Sequence, residues 1–553
     1  MNSVSKICLS LLISISLLAH HQLWANESSD EDDDSLVMEE IEVETSLLDP
    51  PVEINPTRSS TTFNREEIET RQPDNIFEVI EDIPGVSTSG GPRNNGYNLN
   101  IRGFGDNEDI IYKLDGAIKD YEKYRFGGTF IEPELLKSVE VSRGAATTAS
   151  GSGALGGVVE METKDASDFL KPGEKYGAST KYGHRFNNDE DLRSLTLFAA
   201  PFEKLHLLFN YTDRRSNDYK LTGRVSDDSG DRLPLSETNP DSLLGKVEYY
   251  LNDDMTLGFS YINFKQKGLE NFDTTAVTPS IFGVVDRDTD DKTYATKFLY
   301  EPISDLIDFS ITLGFTDTDV NEVTVEGLNP VGTVTNFKYD IWALDMKNIS
   351  QFKFNGIANT LTLGIDGEYS DRETSRDLPT GSIDFFDQPS GIYQQYGVYF
   401  LNEFNFGNLT ITPGMRWDYN HSRVTLDSLV DFLKSNNQKA SDSFDIFLPS
   451  ISSSFRIQNT PLTIFANYWE QYRPPKLDEY YTIGVFNRCV SGIPVDPQSI
   501  TRTCGDLYQP EESENYDLGL LMQKSNLIGR DDLLAKITYF DTSVDNVLET
   551  LNS

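Results

Sequence analysis

At 553 residues the chain could bury several ordinary cores, yet it is only 37% hydrophobic, with a mean hydropathy of -0.43. That is too polar for a bundle of membrane helices, while 11% aromatic content supplies residues that decorate β-sheets and membrane interfaces. The 89 acidic residues outnumber 47 basic ones for a net charge of -42, which argues against nucleic acid as a partner because such a surface repels phosphate.

Residues 1–25 read as a secretory signal peptide: Lys6 is the positive region, 7–19 the apolar run, and Trp24-Ala25 the cleavage site. The run is too short to span a bilayer, and no other stretch reaches the roughly 18–20 apolar residues a spanning helix needs. Any membrane crossing must therefore use β-strands. Signal removal takes Cys8 and leaves Cys489 and Cys504, which read as one disulfide in an oxidising compartment, two free thiols being the alternative.

Residues 26–50 form an acidic, flexible tail opening on SSDEDDD at 28–34, which has too little apolar surface to fold alone. Within it Glu40, Ile41, Glu42, Val43, Glu44 and Thr45 alternate acidic with apolar or β-branched residues, a pattern suited to adding a strand to a partner's sheet edge. A compact α+β segment follows over 51–173. Asn64 is placed to cap a helix over 65–70, and Asp74 or Asn75 a second over 76–81 that ends at Pro84-Gly85. Next come NIRGFG at 100–105 and Leu114-Asp115-Gly116. The stretch 119–128 then places Tyr121, Tyr124 and Arg125 close together, aromatic surface beside charge-assisted donors. At 138–165 two β-type runs flank Arg143-Gly144 and a run of small residues. Gly151, Gly153 and Gly156 have the spacing of a dinucleotide fingerprint, but the following residues are β-branched and alternating where that motif needs a helix. The glycines read instead as a tight turn region allowing positive φ and close approach of another backbone.

From 174 onward the pattern becomes long alternating strands. In LTITPGMRWDY at 409–419 the odd positions are mostly apolar or aromatic and the even ones polar or small, and 255–261 and 204–211 repeat this. Lipid on one face and water or protein on the other imposes such a dyad. Short turns at 252–254 and 406–408 alternate with expected long loops at 217–240 and 268–290, and about fifteen strands can be counted. No nucleophile, base and orienter set and no metal-ligand cluster is spaced for catalysis, so an enzyme is not the reading.

The segment 138–165 with KDASD at 164–168, the run QPDNIFEVIEDIPGV at 72–86, NIRGFG and LDG together resemble the plug domain of TonB-dependent outer-membrane receptors, nearest the branch that takes up haem or iron from haemoglobin-type proteins. YRPPKLDEY at 472–480 and LYQPEESENYDLG at 507–519 resemble the FRAP-type and NPNL-type boxes of haem receptors. The resemblance implies a mostly β fold: an antiparallel transmembrane β-barrel over 174–553 with the α+β plug inside, in the outer membrane of a Gram-negative bacterium. Plugged transporters close with 22 strands, so roughly seven C-terminal strands are expected to be missing.

It further implies that 40–45 is a TonB box, contacting the energy-transducing protein, and that Arg102, Gly103, Arg143 and Gly144 hold the plug, the arginines pairing with barrel-wall carboxylates. Tyr121, Tyr124, Arg125, Tyr480, Tyr481 and His421 are the ligand-facing candidates. Haem receptors commonly carry an axial histidine between the two boxes and another on the plug apex; neither segment here contains histidine, and tyrosine can hold haem iron instead. His206 is expected to point into the lumen. The expected partners are the TonB protein, outer-membrane lipid and a transported haem, haem protein or ferric siderophore, with no intrinsic cofactor and a monomeric state. A passive porin and an enzyme on a barrel are the rival classes.

Overall fold

The computed structural model describes residues 57–547 apart from 58, 91–96, 106, 124–125, 128, 144–146, 152, 222–231, 274–282, 384–387, 436–438, 482–508 and 525–532. The expected signal peptide and TonB box, with Tyr124, Arg125, Gly144, Cys489 and Cys504, lie outside the described residues.

The N-terminal domain is built on a five-stranded sheet with spatial order Ser59–Asn64, Leu136–Arg143, Gly157–Thr163, Ile110–Leu114 and Ala117–Ile118. Its first helix, Arg65–Arg71, starts where predicted: the Asn64 side chain accepts from the Glu67 amide at 3.1 Å while the Glu67 carboxylate accepts from the Asn64 amide at 2.9 Å, a reciprocal capping box. Asn75 rather than Asp74 caps Ile76–Ile80, taking the Glu78 amide at 3.1 Å. The apolar faces of these helices bury Ile68, Phe77 and Ile80 against Val139, Val141 and Met161 of the sheet. The two β-runs of the glycine-rich segment pair antiparallel, Val141 opposite Val159 and Arg143 opposite Gly157. Gly157 sits at φ +152°, and a Cβ there would stand 2.3 Å from the Ser142 carbonyl oxygen.

Around this domain fifteen long strands, from Tyr176–Arg185 to Leu533–Asp545, make one antiparallel meander, and the short Gly381–Ile383 adds a sixteenth strand beside Ile357–Leu378. Among the described residues the first and last long strands are not paired with each other. No described helix is long and apolar enough to cross a membrane, and the strands carry the pattern that does. In Leu409–Val424, Arg416, Asp418, Asn420 and Ser422 are buried facing inward, while Met415, Trp417 and Tyr419 face outward.

One outward row is aromatic on five neighbouring strands, between Gly245 and Gln394 at its two ends. Tyr261 lies opposite Tyr294, Tyr294 opposite Phe315, Phe315 opposite Trp342 and Trp342 opposite Tyr369, with ring centroids 5.0, 5.9 and 4.5 Å apart across the first three pairs. Outward positions on the periplasmic side of this row are apolar (Leu257, Phe259, Leu313, Leu344, Leu363). Those on the other side are charged and ion-paired: Lys292 meets Asp317 at 3.4 Å and Lys338 meets Asp340 at 3.5 Å. Such a row marks a membrane interface.

The expected loop at 268–290 is a correction. Met255–Asn271 and Val284–Tyr300 stay paired as far as Asn271 opposite Val284. The charged residues that made this stretch read as loop are satisfied across the strands, with Arg287 buried between Glu270 and Glu322, the latter at 2.8 Å.

Candidate functional site: the plug seated in the barrel lumen

Buried ion pairs fasten the plug to the wall at several levels. Towards the periplasmic side, Arg102 takes the left-handed conformation at φ 55° ahead of Gly103, which aims its guanidinium at Asp517 of Glu511–Lys524. It donates to both Asp517 oxygens, at 3.1 and 3.3 Å, and to the Ser59 hydroxyl at 3.3 Å, the forked geometry that arginine favours. Arg143 departs from its expectation. Its register opposite Ser59 lays the guanidinium over the plug's own backbone, donating to the Ser59 carbonyl at 3.2 Å, the Thr61 hydroxyl at 2.7 Å and the Pro84 carbonyl, so it ties the plug to itself.

At the outer end of Leu205–Arg215, Arg214 reaches Glu132 at 2.8 Å and also bonds Glu190, and lower on the wall Lys246 meets Asp165 at 2.6 Å. Burial works to raise the Asp165 carboxyl, but the Lys246 and Lys137 ammonium groups outweigh it and hold the group below the usual range. The glycine-rich segment touches the opposite wall through its backbone. The Gly153 amide donates to the Tyr472 carbonyl at 3.1 Å and the Ala154 carbonyl accepts from Gln471 at 2.9 Å. Gly153 is at φ +93°, and a Cβ would come within 3.2 Å of Gln395. No phosphate-binding helix opens here; the segment is a seam.

At the apex three consecutive plug residues engage the barrel. Lys119 bonds Asp291 and reaches Thr293 at 3.0 Å; Asp120 accepts from Lys476 at 2.6 Å; and Tyr121 packs its ring against Phe130 and Tyr339, with centroids 5.2 and 5.1 Å away. Tyr121 is thus buried in a cluster with Phe264 and Phe337, where burial pushes its hydroxyl well up. The helix Leu477–Tyr481 closes the lumen's rim. Arg473 forks onto Glu479 at 2.8 and 2.9 Å and reaches Asp109 of the plug at 3.2 Å, while Arg372 bonds Asp478 at 2.5 Å.

Tyr481 is buried with Leu429 and Leu433 of the loop helix Asp427–Ser435, its hydroxyl 3.3 Å from the Ser422 carbonyl. Tyr480 lies in the same short helix, its side chain outside the described residues. His421 is half-buried on the outward row of its strand, Nδ1 2.8 Å from the Ser443 hydroxyl, on the face opposite its inward neighbour Ser422. His206 points inward as expected, its ring 5.1 Å from Tyr250. Among the described residues no cluster could hold a metal ion.

Sequence reasoning missed Glu132, Asp165, Arg214, Asp291 and Arg416 as contacts between plug and wall, the last donating to the Thr148 carbonyl at 3.3 Å, and Arg372 as the wall residue that holds the rim helix. The available signal was an ionisable residue at an inward register of an otherwise alternating strand, which applies to Arg214, Asp291, Arg372 and Arg416.

A plug of this build inside such a sheet matches two family models: one described as TonB dependent receptor-like, beta-barrel, over residues 235–553, and the TonB-dependent Receptor Plug Domain over 53–158. The chain belongs to the TonB-dependent receptor family. These are outer-membrane receptors of Gram-negative bacteria and not enzymes. The chain is 29% identical over 464 residues to TonB-dependent heme receptor A of Haemophilus ducreyi, covering 78% of this chain and 61% of that protein. It is 24% identical over 488 residues to a hemin receptor of Yersinia pestis, covering 86% of this chain and 66% of that protein. It therefore spans about three fifths of the length of the first of these relatives.

Among solved structures it resembles the Serratia marcescens hemophore receptor HasR, in a double mutant bound to its hemophore HasA and heme, with TM-score 0.74, 21% identity and coverage of 89% of this chain and 73% of that one. The FrpB iron transporter of Neisseria meningitidis follows at TM-score 0.71, 17% identity and the same coverage. Both likenesses speak to the fold.

Proposed function

We propose that this receptor imports haem, or iron from haem proteins, across the outer membrane, drawing on inner-membrane energy through a TonB-type partner. The observation that carries the reading is that similarity to haem receptors runs over most of the chain and not over the plug alone. The FRAP-like and NPNL-like segments support it: the first is tied to the plug by Arg473 to Asp109 and the second by Asp517 to Arg102.

Tyr124, Arg125 and Tyr480 are the ligand-facing candidates this reading keeps foremost. Tyr121 and Tyr481 act through packing beneath the ligand, and His421 from the rim. Residues 40–45 serve as the TonB contact, Cys489 and Cys504 pair within the loop, the plug and barrel divide near 173, the receptor acts as a monomer in outer-membrane lipid, and haem is cargo rather than a resident cofactor.

Titrating the complete receptor with haemin tests the cargo: a saturable Soret shift is expected, lost or displaced in Tyr480→Phe if that residue ligates iron. No shift, together with tight binding of a ferric siderophore, would replace the haem reading with its alternative. Uptake that survives deletion of 40–45 would point to passive diffusion.

A further inference from the structure

The outward aromatic row that runs from Tyr261 to Tyr369 is broken at Gly245 and resumes one strand further at Phe209, with Gly245 opposite both Tyr261 and Phe209 in register. The break adjoins a groove of about 530 Å³ on the lipid-facing side of the sheet. Ala199, Phe209, Gly245, Val247, Phe259 and Tyr261 line it with other, mostly apolar residues. No described part of the protein accounts for the glycine. A Cβ at Gly245 would meet no atom within 4 Å, whereas Gly314 and Gly364 of the same sheet leave room for Ala117 and the Tyr399 ring. Glycine weakens a strand interior, and where it stands in one it often marks a place that something else approaches closely.

The outward charges above the groove differ in exposure. Arg193 is 61% exposed against 31% for its partner Asp191, and Lys265 55% against 29% for Asp290. Arg215 is 40% exposed against 15% for Asp213 and 39% for Asp241. In each pair the cation is the more exposed member, so this patch presents positive charge on a chain of net charge -42. Beyond Tyr294 the same zone is acidic, with Asp317, Asp340 and Asp371 opposite one another across three strands. Arg193 and Lys265 lie four residues along their strands from Leu197 and Tyr261, the partners of Phe209 and Gly245. That is about 13 Å of chain, or roughly 10 Å of height on tilted strands, which places them in the headgroup zone.

We infer that Gly245 and its neighbours form a binding site for one lipid of the outer leaflet, a phosphorylated glycolipid that lays an acyl chain in the groove and sets its phosphate among Arg193, Arg215 and Lys265. The break in the aromatic row admits the chain where a continuous row of rings would exclude it. A guanidinium takes phosphate through paired hydrogen bonds, and basic patches beside spanning segments hold anionic headgroups. The long connection 216–240 leaves from the charged end of these strands and the short turn 203–204 from the other, so the groove opens to the outer leaflet. In Gram-negative bacteria that leaflet is built of phosphorylated glycolipid. The site is on the barrel exterior and is independent of what the lumen carries.

The test purifies the complete receptor in mild detergent and weighs the lipid that stays bound by native mass spectrometry. A single phosphorylated glycolipid on each parent receptor is expected. Its retention should fall about tenfold in Gly245→Phe, which fills the break, and in the variant carrying both Arg193→Gln and Lys265→Gln, which lacks the two most exposed cations. Gln394→Phe adds the same ring at the opposite end of the row and should retain the lipid as the parent does. Enzymatic removal of the lipid phosphates should lower retention by the parent and cause no further loss in the cation variant. Heat-modifiable migration reports the assembly of each variant. Where Gly245→Phe fails to assemble, the cation variant, altered outside the hydrocarbon layer, decides. A parent that retains no lipid, or retains phospholipid in place of glycolipid, overturns the site. So does retention by assembled Gly245→Phe or by the cation variant equal to that of the parent, or an equal loss in Gln394→Phe.

Discussion

Asp517 faces Arg102 with both carboxylate oxygens in a region that also holds Arg143 and Lys536. Asp517→Ala strands a buried guanidinium, and the expected loss is about 3–5 kcal/mol, measured as a shift of the denaturation midpoint in detergent. Replacing Asp517 and Arg102 together by leucine should recover part of it, since the guanidinium is then removed together with its acceptor.

A pH effect belongs to Asp165. Its folded-state pKa lies below the unfolded one, so its contribution is fully present above the unfolded value of about 4 and fades as pH falls through the folded value. Unfolding of the parent should therefore steepen with acid below about pH 4, and Asp165→Asn should flatten that limb. Arg102 was legible in the sequence because an arginine entering a glycine turn is a local signal. Its partner was not, because Asp517 sits 415 residues away and only strand register brings it under the plug.

Among the elements, the alternating strands and capped helices were readable wherever neighbouring residues set the pattern. Asn64 and Glu67 announce a helix start by their spacing, and 409–419 announces two faces. The stretch 268–290 was misread because a charge-rich run looks like loop until its cross-strand partners Glu270, Arg287 and Glu322 are known.

The glycine-rich segment carried a spacing that fits two unrelated structures, and the wall contacts decide between them. Gly157→Ala should destabilise the plug by more than the roughly 1 kcal/mol typical of glycine replacements, because the new Cβ meets the Ser142 carbonyl at φ +152°; limited proteolysis of the plug reads this directly. Tyr481→Ala empties a buried aromatic site against Leu429 and Leu433. It should cost on the order of 3–5 kcal/mol locally, seen as faster hydrogen exchange in 477–481 and 427–435 with the barrel unchanged.

For the molecule as a whole, the outward aromatic row fixes the membrane level more sharply than hydropathy could. Single-strand alternation gives the two faces but not which residues of neighbouring strands stand side by side, which only register supplies. Brominated lipids should quench Trp342 strongly when the bromine lies near the headgroup end of the chain and weakly when it lies at the chain centre; the reverse order would move the interface elsewhere.

Ten residues of Val284–Tyr300 continue beyond Tyr294, about 34 Å of chain at 3.4 Å per residue, or roughly 25 Å of height for strands tilted as barrels tilt them. The strands on this side thus stand well clear of the aromatic row, whereas Gly391–Asn405 ends three residues beyond Gln394, the partner of Tyr369 in register. The rim is thus uneven, its height set strand by strand before any binding residue acts.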